Sequence, residues 1–134
     1  MPEHRVISCE FSDGRWTGKD GDDSLNIVGK DHALTFAKKM MAASASCIWK
    51  DSSNTEPTGK LHLVLRRQGK EIDRFDLFGT AKNELTQVFS TFDSNSRLVR
   101  SIEVGDELSL ERTLSLNGEF EVRGLELLFI CAGP

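Results

Sequence analysis

An α+β domain, with a curved and mainly antiparallel sheet of about seven or eight strands, is the architecture this chain leads us to expect. Three observations point there. Apolar residues alternate through several short segments bounded by turn residues, which reads as antiparallel strands. Between these segments, Ala33, Leu34, Ala37, Met41, Ala45 and Ile48 recur at helical spacing, and Leu85, Val88, Phe89 and Phe92 do so over a shorter span. Helical and strand patterns do not alternate regularly, which argues against a parallel sheet of βαβ units. At 134 residues, the chain reads as a single domain, 1–134, large enough for one core without disulfide or metal staples.

The elements follow in order. Val6 to Phe11 and Arg15 to Thr17 flank Asp13-Gly14, a preferred pair for a type I′ turn, and this register sets Phe11 opposite Trp16. A third short strand is expected over Ser24 to Val28. Asp31 offers an N-cap for a long helix from His32 to about Trp49, whose Ala, Met and Ser residues would let a sheet approach closely. Asp51 to Gly59 is a turn-rich connector. Leu61, Leu63 and Leu65 then alternate with His62, Val64 and Arg66, and the chain turns back around Gln68-Gly69, pairing Leu65 with Ile72. The alternation slips at Arg74-Phe75, which suggests a bulge there. Thr80 caps a second, shorter helix over Ala81–Phe92.

Arg97 to Cys131 reads as a three-stranded meander. A three-residue loop with Gly118 in a bulge keeps the apolar side chains on one face. It pairs Leu114 with Phe120 and Arg112 with Val122, which a two-residue Asn117-Gly118 turn does not. The same reasoning pairs Val104 with Leu108, Ile102 with Leu110 and Leu98 with Leu114. Leu125 to Ile130 is apolar on both faces apart from Glu126, as in a central strand with a helix packed over one side.

Charge sharpens the functional reading. The chain carries a net charge of −4, yet Glu103 to Glu126 alone holds seven acids against Arg112 and Arg123, a local −5. In the meander register, Glu107, Glu111, Glu119, Glu121 and Arg123 form a partner-binding face suited to a basic protein. On the apolar face, Arg100 falls opposite Arg112, with Glu126 on the same side. Two arginines among leucines require a counter-charge or a bound anion, so these three are candidates for anion or polar recognition.

Several chemistries are not indicated. His4, His32 and His62 are scattered, with no Cys-His or paired-His spacing, so no metal site is expected. Asp20-Gly21-Asp22-Asp23 fails as an EF-hand start, because Leu25 stands where the turn needs glycine. No nucleophile elbow or phosphate-binding loop is present, and neither catalytic residues nor a cofactor are assigned. The sequence pI of about 5.4 disfavours nucleic-acid binding. No apolar run is long enough for a signal peptide or a membrane span. Cys9, Cys47 and Cys131 read as reduced, buried thiols of a cytoplasmic protein.

The profile resembles that of inhibitor, immunity and adaptor proteins. The expected function is a non-enzymatic, intracellular protein-binding domain that contacts a basic partner through the acidic sheet face. One alternative is a small-ligand-binding domain or small enzyme with an apolar pocket between the sheet and the long helix. Another is a subunit of a homo- or hetero-oligomer, joined through an edge strand such as Leu61–Leu65.

Overall fold

Alternation of inward and outward side chains, repeated strand after strand, builds two antiparallel sheets packed face to face. The computed structural model describes residues 4–29, 33–52, 59–114 and 118–133. The strands are β1 (His4–Glu10), β2 (Gly14–Thr17), β3 (Asp23–Ser24), β4 (Ala33–Thr35), β5 (Met40–Asp51), β6 (Lys60–Arg67), β7 (Lys70–Asp76), β8 (Thr86–Phe92), β9 (Glu107–Thr113) and β10 (Glu119–Ala132). One short helix, α1 (Arg97–Ser101), separates β8 from β9. The first sheet runs β1-β10-β5-β8, with β2 also on β10; the second runs β3-β9-β6-β7, with β4 also on β9. Successive strands cross repeatedly between the sheets, giving a jelly-roll sandwich.

This architecture corrects the α+β expectation. The long helix expected from His32 to Trp49 is instead β4 and the twelve-residue β5. β5 is apolar or small on both faces: Ala43, Ala45, Cys47 and Trp49 point inward, while Ala42, Ser44, Ser46 and Ile48 point outward. A two-sided apolar strand loses its period-2 signature, and the residues that remain imitate helical spacing. Asp31 and His32 lie outside the described residues. The second expected helix, Ala81–Phe92, contains β8, whose TQVFSTF composition favours an edge strand. Arg97–Ser101, taken as the first meander strand, is helical. Ser96 caps it by accepting the Val99 amide at 3.3 Å, and it buries Leu98 and Val99.

The meander itself does not form. β9 and β10 belong to different sheets, so the pairings of Leu114 with Phe120 and of Arg112 with Val122 are absent. With α1 in place of a strand, the pairings of Val104 with Leu108, Ile102 with Leu110 and Leu98 with Leu114 fall away as well. Asn117 lies outside the described residues, and with it most of the loop expected there. β10 is central, between β1 and β5, as its double-sided apolar pattern implies. No helix covers its outer side among the described residues.

Asp13-Gly14 is not a hairpin turn. Glu10 pairs with Glu126 and Gly14 with Val122, so β1 and β2 are two halves of one strand in a single register along β10. Phe11 keeps that line, donating its amide to the Leu125 carbonyl at 3.1 Å, and also bridges Ile27, while Asp13 Oδ1 accepts the Gly124 amide at 2.8 Å across the gap. The β6–β7 hairpin does turn at Gln68-Gly69, both at positive φ (54° and 79°), as a type I′ turn requires. Its irregularity falls around Ile72 rather than at Arg74-Phe75, so Leu65 faces Asp73. β6 is internal, between β9 and β7, and is therefore not an edge strand.

Between the sheets, Phe36 meets Phe129 edge-on at 5.2 Å, and Trp49 contacts Phe78 and Phe120 at 5.3 and 5.8 Å. At one end of the core, the fully buried Asp51 accepts the Gly59 amide at 2.8 Å.

Candidate functional site

The two outer faces of the sandwich differ in chemistry. On the β9-β6-β7 face, charged and polar side chains satisfy one another. Glu111 accepts from Arg66 at 3.0 Å and from Arg74 at 3.1 Å, and Arg74 also pairs with Glu71 at 2.8 Å. His62 Nδ1 lies 2.7 Å from Asp76, and its Nε2 lies 2.9 Å from Thr113 Oγ1. That chain has the order of a hydroxyl–imidazole–carboxylate relay. It lies on the outer face of the sheet, however, and lines neither of the two clefts described below, so substrate placement is not provided for.

The β1-β10-β5-β8 face is unlike it. Alternation brings Val6, Ile130 and Ala42 into one row and Ser8, Leu128, Ser44 and Thr91 into the next. The small side chains of β5 form a low floor between higher flanks, and a groove of about 390 Å³ runs there, lined almost wholly by apolar atoms. Val6 is 62% exposed, and Phe89, projecting from the edge strand, is 67% exposed. Charge borders the groove at Asp93 and in the next row, where Glu10 pairs with Glu126, and it gathers toward the other end of the face. There Arg15 bridges Glu119 and Glu121 at 3.3 and 2.9 Å, and Arg123 pairs with Glu121.

The residues singled out from sequence are thus dispersed. Glu107 and Glu111 belong to the second sheet, and Glu119, Glu121 and Arg123 to the first. Glu111, Glu119 and Glu121 are all paired with arginines. Arg100 lies exposed on α1, Arg112 points inward from β9, and Glu126 lies on the outer side of β10, where Ser8 donates to it at 3.4 Å. The expected juxtaposition of Arg100 and Arg112 rested on a strand at 97–101 that is helical, and it does not occur.

A second cleft, of about 300 Å³, opens at the end of the sandwich between Trp16 and Arg112. Arg112 is 9% exposed, its guanidinium 4.7 Å from the Trp16 ring centroid, and its Nε donates to the Gly21 carbonyl at 3.3 Å. The Trp16 ring packs so closely over Gly14 that a Cβ there would lie 2.0 Å from it.

Sequence reasoning missed Val6, Ala42, Ser44, Phe89 and Trp16. The signal for the first group was available in the two-sided apolar pattern of β5 and β10, which calls for a cover on both sides of the sheet.

Thiol chemistry finds no support. All three cysteines are buried and none is joined in a disulfide, and burial pushes the Cys47 thiol up to about 12, far from the thiolate a nucleophile needs. Among the described residues, no group of three His, Cys, Asp or Glu side chains is placed to hold a metal. No helix among them is long and apolar enough to cross a membrane.

No protein-family model and no curated protein sequence matches the chain. Solved structures do. Two crystal structures of murine APRIL, at pH 8.0 and 8.5, are 10% and 9% identical with TM-scores of 0.56 and 0.52. Each alignment covers 96% of this chain and 99% of that one. The CBM36-1 domain of a multidomain xylanase from the hindgut metagenome of Trinervitermes trinervoides is 9% identical over 93% of this chain and 96% of its own, with a TM-score of 0.41. At such identities the APRIL likeness concerns the fold alone, and the chain resembles TNF-like jelly-roll folds.

Proposed function

We propose that the protein is a non-enzymatic assembly module that associates with a second copy of itself through the outer face of β1, β10, β5 and β8. One observation carries this reading: that face holds an uncovered groove lined almost wholly by apolar atoms, whereas the opposite outer face is laced with ion pairs. A solvated sheet face ordinarily alternates to polar residues, as the β6 face does, and an apolar one marks contact with another surface.

Self-association is favoured over a charged partner because the groove is lined almost wholly by apolar atoms, with Asp93 its one charged lining residue among the described residues. A low floor of Ala42 and Ser44 beside projecting Val6 and Ile130 supplies both halves of an isologous contact. The acids that suggested a basic partner are neutralised in large part by Arg15, Arg66, Arg74 and Arg123. Three buried cysteines with no disulfide among them support a cytoplasmic setting.

Light scattering coupled to size exclusion tests the reading. Wild type should elute as an oligomer, and Leu128→Arg, which places a charge on the groove wall, should elute as a folded monomer. A monomeric wild type, or an oligomer indifferent to Leu128→Arg and Ala42→Arg, would remove this function.

A further inference from the structure

Arg112 is a buried charge that forms no ion pair among the described residues. It occupies the inward face of β9 in line with Leu108 and Leu110, where a leucine would serve packing as well. Taking a guanidinium out of water is costly unless it is paired, and a cation–π contact returns only part of that cost. Among the described residues no carboxylate forms an ion pair with it, and only Nε makes a hydrogen bond. Nη1 and Nη2 keep the planar, two-pronged geometry that matches a carboxylate.

The cleft they border also contains two acids. Asp13 and Asp23 line it with Arg112, Trp16, Leu25 and Asn26. Each commits Oδ1 to a backbone amide, Asp13 to Gly124 and Asp23 to Ser24, both at 2.8 Å. Both carboxylates therefore hold a fixed orientation, with Oδ2 available to a donor. Neither lies within ion-pair distance of Arg112, although Asp23 is its direct cross-strand partner, and the three groups border a cavity of about 300 Å³, the lower end of small-molecule sites.

We infer that this cleft binds a small zwitterion of the α-amino acid type, its carboxylate on Arg112 and its ammonium on Asp13 and Asp23. Phosphate is disfavoured, because a dianion would face two carboxylates. A simple carboxylate leaves both acids unmatched, and a simple amine leaves the guanidinium unmatched. Trp16 and Leu25 provide an apolar wall for the ligand's side chain. The inference is independent of self-association, since the cleft lies between the sheets and not on the groove face.

Trp16 reports on occupancy, because the other tryptophan, Trp49, is buried in the core at 2% exposure. Fluorescence titrations with glycine, leucine and glutamate should give a saturable change for at least one. Acetate, n-propylammonium and inorganic phosphate should bind at least about tenfold more weakly. Arg112→Met should weaken the amino acid by roughly tenfold or more. Asp23→Asn, a change at an exposed strand end, should weaken it with the thermal midpoint held, and so covers the case in which Arg112→Met fails to fold. No saturable response to any amino acid, acetate or phosphate binding as tightly, or Asp23→Asn binding like wild type would each overturn the inference.

Discussion

Asp106 shows how single side chains lock this sandwich. It is 2% exposed; Oδ1 accepts Arg67 Nε at 2.9 Å, and Oδ2 accepts Arg67 Nη2 and the Glu103 amide, both at 2.8 Å. The Arg67 guanidinium holds its carboxyl below the usual carboxylate range, against the opposing effect of burial and with help from the Glu103 amide. Arg97 does the same for Asp73, and Arg74 for Glu71. A lowered folded value means stability that is present above the unfolded pKa, near 4, and lost as pH falls through the folded value. Thermal melts should therefore show a falling midpoint below about pH 4. Asp106→Asn should lower the midpoint by roughly 5 °C at pH 7, with the gap to wild type narrowing in acid. A gap that does not change with pH would contradict the role assigned to this charge. In the core, Phe120 lies between Trp16 and Trp49 at 6.1 and 5.8 Å, and Phe120→Ala should cost about 3–5 kcal/mol in urea unfolding. Arg112 was legible as a cation on an apolar face. Its partners Trp16 and Gly21 were not, because they come from a segment whose path was misread as a hairpin.

Strand β5 decides how much of the fold could be read in advance. Hairpin β6–β7 was legible, since Gln68-Gly69 punctuates two segments that contact each other locally. β10 was recognisable as central from its apolar run. β5 was not, because a strand buried on one face and apolar on the other has no alternation left to detect. β8 was missed for a different reason: Leu85, Val88, Phe89 and Phe92 match a helical face by coincidence, while its Thr and Phe content carried the better signal. The non-local pairings of β1 and β2 with β10 leave no local trace at all. Amide hydrogen exchange separates strand from helix at β8. As an edge strand it should show alternating protection, slow where amides point to β5 and fast where they do not, and β5 and β10 should exchange slowest. Continuous protection from Ala81 to Phe92 would indicate the helix instead.

The whole molecule is a sandwich with a charged outer face on one side and an apolar groove on the other, and the proposed self-association rests on that asymmetry. Local sequence could not display it, because each face combines strands distant in the chain. β1, β5, β8 and β10 meet only after folding. The acidic excess suggested a charged contact; Glu111, Glu119 and Glu121 are paired with arginines in the two sheets, and an apolar groove lies on the outer face of the first. Two apolar side chains elsewhere, Ile72 at 45% exposure and Val104 at 61%, lie outside the groove and serve as internal references. Methyl NMR with a soluble paramagnetic probe, at high and at low micromolar protein, tests the central claim directly. The methyls of Val6, Leu128 and Ile130 should be shielded at high concentration and become accessible on dilution, while those of Ile72 and Val104 stay accessible throughout. Full accessibility of Val6, Leu128 and Ile130 at every concentration would contradict self-association through this face.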